Sequence, residues 1–276
     1  KYDSLPELPQ MTENIRYDGS LKASVILKDL APFVPALSRF EEPLDLNLVF
    51  SGHGKHLDCP TLRLTNHHGL MIAGEAALSN WDAGMDMYIY GKLGNLTMTK
   101  EGINVLMTNL TGKVPPILQR LDYIRFNGEA AGYLHDLTLT GLFHTGAGMV
   151  KTDVMMSIDE QSMSRTYSGS VASADLDLGK LLNQEKKFGK VDFNVELKGF
   201  NYKNRYPESY IKGIISSFEY SQYQYENIML DGVYKDGGFN GRLSMDDANG
   251  SVQIDGNFNV AKTIPDFNLK ASVKNL

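Results

Sequence analysis

Cysteine is almost missing from this chain of 276 residues: Cys59 is the only one, so an internal disulfide framework is excluded. Its scarcity does not fix the compartment, because exported proteins need not be disulfide-bonded. Concentrated positive charge is also missing. Lys and Arg number 27 against 33 Asp and Glu, the net charge is -6, and no basic cluster is larger than Lys186-Lys187. That balance speaks against a nucleic-acid partner. No apolar run approaches the roughly eighteen residues of a membrane-spanning helix. The chain opens on Lys1, without a charged-then-apolar leader, and reads as processed or as a piece cut from something longer. It lacks a G-x-S-x-G elbow, a G-x-x-x-x-G-K-[ST] loop and a G-x-G-x-x-G opening a helix, so neither a nucleophile nor a phosphate cradle is nominated.

What the chain does have is alternation. With 42% apolar and 22% charged residues it has ample material for a folded core. The stretch Tyr225–Val260 shows the unit most cleanly. Ile228, Leu230 and Tyr234 share one face of a first strand, Phe239, Leu243 and Met245 of a second, and Val252, Ile254, Phe258 and Val260 of a third. Asn240, Arg242 and Ser244, then Ser251, Gln253, Asp255 and Asn257, take the opposite faces. Such a period of two marks antiparallel strands with one dry and one wet face. Asp236-Gly237-Gly238 and the Asp246–Gly250 stretch read as hairpin turns; the latter lacks the later carboxylates of a calcium loop.

The same period recurs along the chain. Lys1 to Arg16 is polar, with Pro6 and Pro9, and reads as a loose or edge segment. Strand patterns follow at Leu21–Leu27, Leu44–Phe50, Leu62–Leu64, Leu70–Leu78, Met87–Leu93, Ile124–Gly132, Leu137–Phe143, Val154–Ile158 and Val191–Gly199, and the last strand holds Phe267, Leu269, Ala271 and Val273. Leu96–Thr99 and Ile103–Met107 read as a hairpin over Lys100-Glu101-Gly102. Three short helices are expected. One lies in Asp29–Phe40, where Pro35 keeps it short or bent; one in Thr111–Tyr123, with its prolines at the start; one in Asp175–Phe188 on the stripe Leu178, Leu181, Leu182 and Phe188. Each leads into a strand that reaches an in-phase glycine, a loose internal duplication that divides the chain into 1–20, 21–110, 111–174 and 175–276.

Glycines fall in step with the dry face in strand after strand: Gly52, Gly74, Gly91, Gly128, Gly141, Gly199, Gly232, Gly241 and Gly256. A strand glycine leaves a gap and weakens the ladder, so a shared phase suggests a crease in the sheet or a close approach to its dry face. Three short helices cannot cover the dry face of about fifteen or more strands, so the sheet must cover itself as a sandwich, a barrel or a U-shaped fold. Adjacent strands are about 4.8 Å apart, so fifteen unclosed strands would run on the order of 70 Å and make a long apolar trough. Alternation alone does not choose between trough and sandwich.

DLAPFVPAL, VPPILQRLDYIRFNGEAAG, DLDLGKLL followed by FGKVDFNVELKG, and the stretch from Ser209 to Val260 resemble, in order, motifs of the TamB family (translocation and assembly module) within the AsmA-like group of bacterial envelope proteins. The resemblance covers roughly Leu21 to Val273, and the most specific part is Y-x-x-I-x-L-x-G-x-Y followed by F-x-G-x-L-x-x-D-D-x-N-G. It implies a mainly β fold: an elongated, curved, largely antiparallel sheet folded into a taco-like groove that carries phospholipid acyl chains. It also implies a periplasmic segment of an inner-membrane-anchored protein. A TamA-like outer-membrane barrel is the associated partner, met through parts of a parent chain outside these residues.

On this reading the groove is lined by Leu46, Leu48, Phe50, Ile72, Ile89, Val195, Leu197, Leu230, Ile254 and Phe258, and the protein is not an enzyme and needs no cofactor. The rival reading is a sealed structural or glycan-binding β-sandwich. His53, His56, Cys59, His67 and His68 are the only cluster of metal-ligand types, and a polar loop between strands is preferred to a zinc site there. Tyr202, Tyr206, Tyr210, Tyr220, Tyr223 and Tyr225 could form a sugar-stacking platform, with ordinary strand packing preferred.

Overall fold

The structure, a computed structural model, describes residues 15–30, 38–159, 161–162, 164–201, 208–259 and 266–274. Period-two alternation becomes strand throughout. The first seven strands are β1 (Arg16–Ile26), β2 (Pro43–His53), β3 (His56–Thr65), β4 (Leu70–Ser79), β5 (Tyr88–Thr99), β6 (Tyr123–Tyr133) and β7 (Asp136–Thr145). The remaining eight are β8 (Gly148–Ile158), β9 (Arg165–Asp177), β10 (Phe188–Asn201), β11 (Glu208–Tyr220), β12 (Tyr223–Lys235), β13 (Gly238–Asp247), β14 (Gly250–Asn259) and β15 (Asp266–Lys274). They form one mainly β, unclosed, 15-stranded sheet whose strand order is the chain order. Every strand pairing resolved residue by residue is antiparallel. The chain divides into two compact units, one up to Leu137 and one from Thr138 onward.

Short turns fix the register. Between β12 and β13, Asp236 and Gly237 both have positive φ, 51° and 76°, the two-residue hairpin that Asp-Gly favours because it matches strand twist. Asp247 faces Gly250 across the next turn, where the Asn249 N–H donates to Asp247 Oδ1 at 2.8 Å.

Three α-helices lie among the described residues: α1 (Lys100–Thr111), α2 (Pro116–Gln119) and α3 (Leu178–Leu182). Helix α1 replaces the hairpin expected over Lys100-Glu101-Gly102. Ile103, Val105 and Met107 alternate as a strand would, but Ile103, Leu106 and Met107 also satisfy helical spacing, and the boundaries decide. The Thr99 side chain accepts from the Gly102 N–H, and Gly112 ends the helix in the left-handed region at φ 77°. The helix expected over Thr111–Tyr123 is accordingly reduced to Pro116–Gln119, and Tyr123 opens β6. Helix α3 keeps its expected place, capped by Asp177, whose side chain accepts from the Lys180 N–H; Phe188 belongs to β10 instead of the helical stripe. Of the helix expected in Asp29–Phe40, residues 31–37 lie outside the described residues, as do Lys1 to Asn14, Tyr202, Tyr206 and Val260.

Full burial gathers beside the helices. In the first unit Leu70, Met98 and Ile124 face one another across β4, β5 and β6, and Ile103 of α1, 1% exposed, joins them in the core with Leu121 and Phe126. In the second unit Leu176, Leu181 and Val191 are buried around α3 and β10, and Phe188, Phe218, Tyr220, Tyr223 and Tyr225 form an adjoining aromatic cluster.

Two of the in-phase glycines stand in opposite situations. Gly256 has φ 143°, and a Cβ there would collide with the Asn268 carbonyl; Gly91 has open space around its Cα. Gly256→Ala is expected to destabilise the fold by more than about 1 kcal/mol, while Gly91→Ala is expected to be neutral or stabilising by up to about 1 kcal/mol. Urea midpoints of the two variants check this contrast.

Candidate functional site

The ten expected lining residues occupy the dry face in each unit. In the first, register sets Ala23, Leu46, Leu64, Ile72, Leu96 and Phe126 in one cross-strand row. Leu48 lies in the next row with Leu21, Leu62, Gly74 and Leu93, and Ile89 in a row with Leu57, Leu78 and Gly132. Phe50 faces Gly19 and lies over it. A small apolar cavity of about 160 Å³ sits between Leu44, Leu64 and Ile72 of the sheet and Val105 and Leu106 of α1.

In the second unit Val171, Val195, Gly213, Leu230, Leu243, Ile254 and Ala271 form one row. Leu197 belongs to the next, with Gly169, Ile211, Gly232, Gly241, Gly256 and Leu269. Phe258 stands beyond it between Phe239 and Phe267. None of the ten residues is fully buried: nine are half-buried, and Phe258 is 38% exposed.

The glycines are mostly covered. A Cβ at Gly52 would run into the Tyr17 ring, at Gly199 into the Glu208 carbonyl and Tyr167, at Gly232 into Phe239, and at Gly241 into the Asp231 carbonyl, with the Phe239 ring close by. At Gly74 the obstacle is the Lys92 carbonyl. Gly141 lies in β7. Gly232, Gly241 and Gly256 stand directly opposite one another across three strands. Rings of neighbouring residues therefore take much of the space that the missing side chains leave, an arrangement that shields glycine-weakened strand pairs.

The wet face of the second unit carries a feature that strand-by-strand reading missed. Glu196, Lys212, Asp231, Arg242, Asp255 and Lys270 face one another in turn across β10 to β15, alternating in sign at every step. Arg242 Nε lies 2.6 Å from Asp255 Oδ1 and Lys212 Nζ 3.9 Å from Asp231 Oδ2. The hydrogen bonds from Arg242 and then Gln253 hold the Asp255 carboxyl below its ordinary range. Tyr210 donates to Asp231 at 2.9 Å, so it belongs to this face and not to a stacking platform with Tyr220, Tyr223 and Tyr225. Turn positions could have revealed the ladder: once Asp236-Gly237 is placed as a two-residue turn, Asp231 must face Arg242.

The histidines disperse. His53 faces His56 across a hairpin, and His56 contacts Ser79 Oγ at 2.7 Å and Asp58 Oδ2 at 3.0 Å. Cys59 is buried, and burial first, then Asp58, raises its thiol pKa. Among the described residues no group of three or more His, Cys, Asp and Glu is arranged to hold a metal ion. His68 has a specific role in the fold. Its Nδ1 lies 2.7 Å from Glu101 Oε1 at the start of α1, and its Nε2 lies 3.0 Å from Glu42 Oε2. Thr99 Oγ1 donates to the His68 carbonyl at 2.7 Å, tying the α1 cap to the same turn. Two carboxylates at both ring nitrogens favour the imidazolium; the Glu101 hydrogen bond is the main cause of a raised His68 pKa, with Glu42 adding to it.

Comparison with protein-family models, with curated proteins and with solved structures gave no match. Among the described residues no helix is long and apolar enough to cross a membrane.

Because the folded pKa of His68 is raised, its stabilising contribution is complete below the unfolded value near 6.5 and is lost as pH rises through the folded value. Stability of the wild-type chain relative to His68→Gln is therefore expected to fall from pH 6 to pH 8.5. Urea titrations at fixed ionic strength measure that difference; a difference independent of pH contradicts the ion pairing.

Proposed function

We propose that this chain is a non-enzymatic, periplasmic segment of an envelope-spanning lipid-transfer and outer-membrane assembly protein, and that its dry sheet face shields phospholipid acyl chains in an apolar β-groove. One observation carries the reading. Leu46, Leu48, Phe50, Ile72 and Ile89 in the first unit, and Val195, Leu197, Leu230, Ile254 and Phe258 in the second, lie in aligned apolar rows that are half-buried or exposed. Full burial is mostly near the helices; away from them it is limited to single positions such as Cys59 in β3 and Ile228 in β12. A sealed sandwich core would bury such rows completely, whereas exposed apolar surface of this continuity is a signature of a ligand or interaction surface.

The mechanism is hydrophobic solvation without a dedicated head-group site. Each buried methylene contributes roughly 0.8 kcal/mol, so a dozen contribute on the order of 10 kcal/mol, enough to hold a lipid tail out of water. The rows repeat similar Leu, Ile, Val and Phe side chains from strand to strand, so adjacent positions bind a tail with similar energy and a chain can slide instead of being trapped. The order of motifs that resembles the TamB family supports the periplasmic setting and the association of the parent protein with an outer-membrane barrel.

Purified protein from a bacterial host is expected to release phospholipid on organic-solvent extraction, read by mass spectrometry, and Leu230→Asp combined with Ile254→Asp is expected to reduce that lipid several-fold while the fold is retained by circular dichroism. Lipid-free wild-type protein, or lipid unaffected by the substitutions, overturns the reading in favour of a structural or glycan-binding sheet.

A further inference from the structure

Helix α1 does not fill the space beneath it. It packs against β5, β6 and α2, and its first turn is tight, with Ile103 1% exposed. Further along the helix Val105 and Leu106 are only half-buried, although they stand over apolar residues of β2, β3 and β4. Between them and Leu44, Leu64, Leu70 and Ile72 lies the cavity of about 160 Å³. Protein interiors leave few voids larger than a water molecule, so a gap of this size calls for an occupant.

The lining determines which occupant fits. Its polar residues are Glu42, Asn66 and Asn109, and two of them are already engaged by the turn that holds His68. Asn66 Oδ1 accepts the His68 and Leu70 N–H groups at 3.0 and 2.8 Å, and Glu42 Oε2 lies 3.0 Å from His68 Nε2. Asn109 is left uncommitted: among the described residues its side chain makes no hydrogen bond. An interior water needs about two to four polar partners, so one free amide favours an apolar occupant over water. A cavity of about 150 Å³ lined by aliphatic side chains stays dry and admits benzene, so the space under α1 suits an apolar segment of about six carbon atoms. A whole acyl chain is far too large for it.

We propose that this cavity is a terminal seat for an acyl chain. The methyl end of a chain lying along the dry face of the first unit turns in beneath α1 and is held between Leu64, Ile72, Val105 and Leu106. Leu64 and Ile72 supply the continuity, because both also belong to the cross-strand row that carries Leu46. A seat of fixed size gives an otherwise uniform apolar face a fixed end: a sliding chain stops where its methyl group enters, and chain length then sets how far away the head group lies. The acyl occupant rests on the lipid reading proposed above; the affinity of the cavity for a small apolar molecule does not.

Delipidated protein, as the whole 276-residue chain, is titrated with benzene and observed through its methyl NMR signals. Saturable shifts are expected at Leu64, Ile72, Val105 and Leu106 and not at Leu230 or Ile254. Val105→Phe, which fills the space, is expected to remove them, and Leu106→Ala, which enlarges it, to admit naphthalene as well. The protein is then loaded with a phospholipid that carries a diazirine either next to the terminal methyl or next to the ester. On irradiation the terminal label is expected to mark α1 several-fold more than the ester-proximal label, and Val105→Phe to abolish that excess. Absence of benzene shifts at the four residues, or equal marking of α1 by the two labels, overturns the proposal. Adducts on the sheet with none on α1 overturn the seat and leave the lipid-carrying face intact. Benzene binding without adducts anywhere removes the acyl occupant together with the reading on which it rests.

Discussion

Antiparallel pairing of each strand with its chain neighbours is the constraint on which the other features depend. Side chains alternate with a period of two, so a slip of one residue at any hairpin would send a whole strand's apolar set to the wrong face. Tight turns such as Asp236-Gly237 prevent that slip, because positive φ at both central positions closes the hairpin in one register. The apolar rows, the charge ladder and the three facing glycines are all results of register repeated from strand to strand. Charge pairing then reinforces it. A one-residue slip between β12 and β13 would take Arg242 off Asp231 and leave Leu230 facing a polar residue.

A sheet built in this way has more apolar face than its short helices cover. Helices α1 and α3 are associated with local cores around Ile103 and Leu181, and elsewhere the dry rows remain mostly half-exposed, with Cys59 and Ile228 as buried single positions. The sheet must also keep its glycine-interrupted strands paired. Tyr17, Tyr167 and Phe239 do this by laying rings over Gly52, Gly199 and Gly232, so the glycines are bracing points as much as gaps. The wet face is held by alternating charges, which pair with neighbours instead of repelling them and keep that face hydrated.

Much of the fold is legible in the sequence because alternation and turn residues are local signals. Leu230, Leu243 and Ile254 can be assigned to one face from spacing alone, and the Asp-Gly turn between them can be named. Helix α1 is hidden because Ile103, Val105 and Met107 fit both periods; the deciding signals, a capping Thr99 and a terminal Gly112, lie outside the apolar pattern. The candidate site is legible to the level of face and not of register. That Gly232 and Gly241 share one covering ring, or that Tyr210 lies opposite the Tyr220 to Tyr225 cluster, depends on pairings between strands. His68 was visible only as one histidine among several, because both its carboxylate partners, Glu42 and Glu101, are distant in the chain.

Ile254 and Gln253 are consecutive in β14 and point to opposite faces: Ile254 lies between Leu243 and Ala271, Gln253 between Ser244 and Ser272. A photo-crosslinking amino acid at each position in turn, irradiated in the bacterial envelope, asks directly whether the dry face meets lipid. The account predicts phospholipid adducts at position 254 and none at position 253. Equal capture at both positions, or capture at neither, would contradict it.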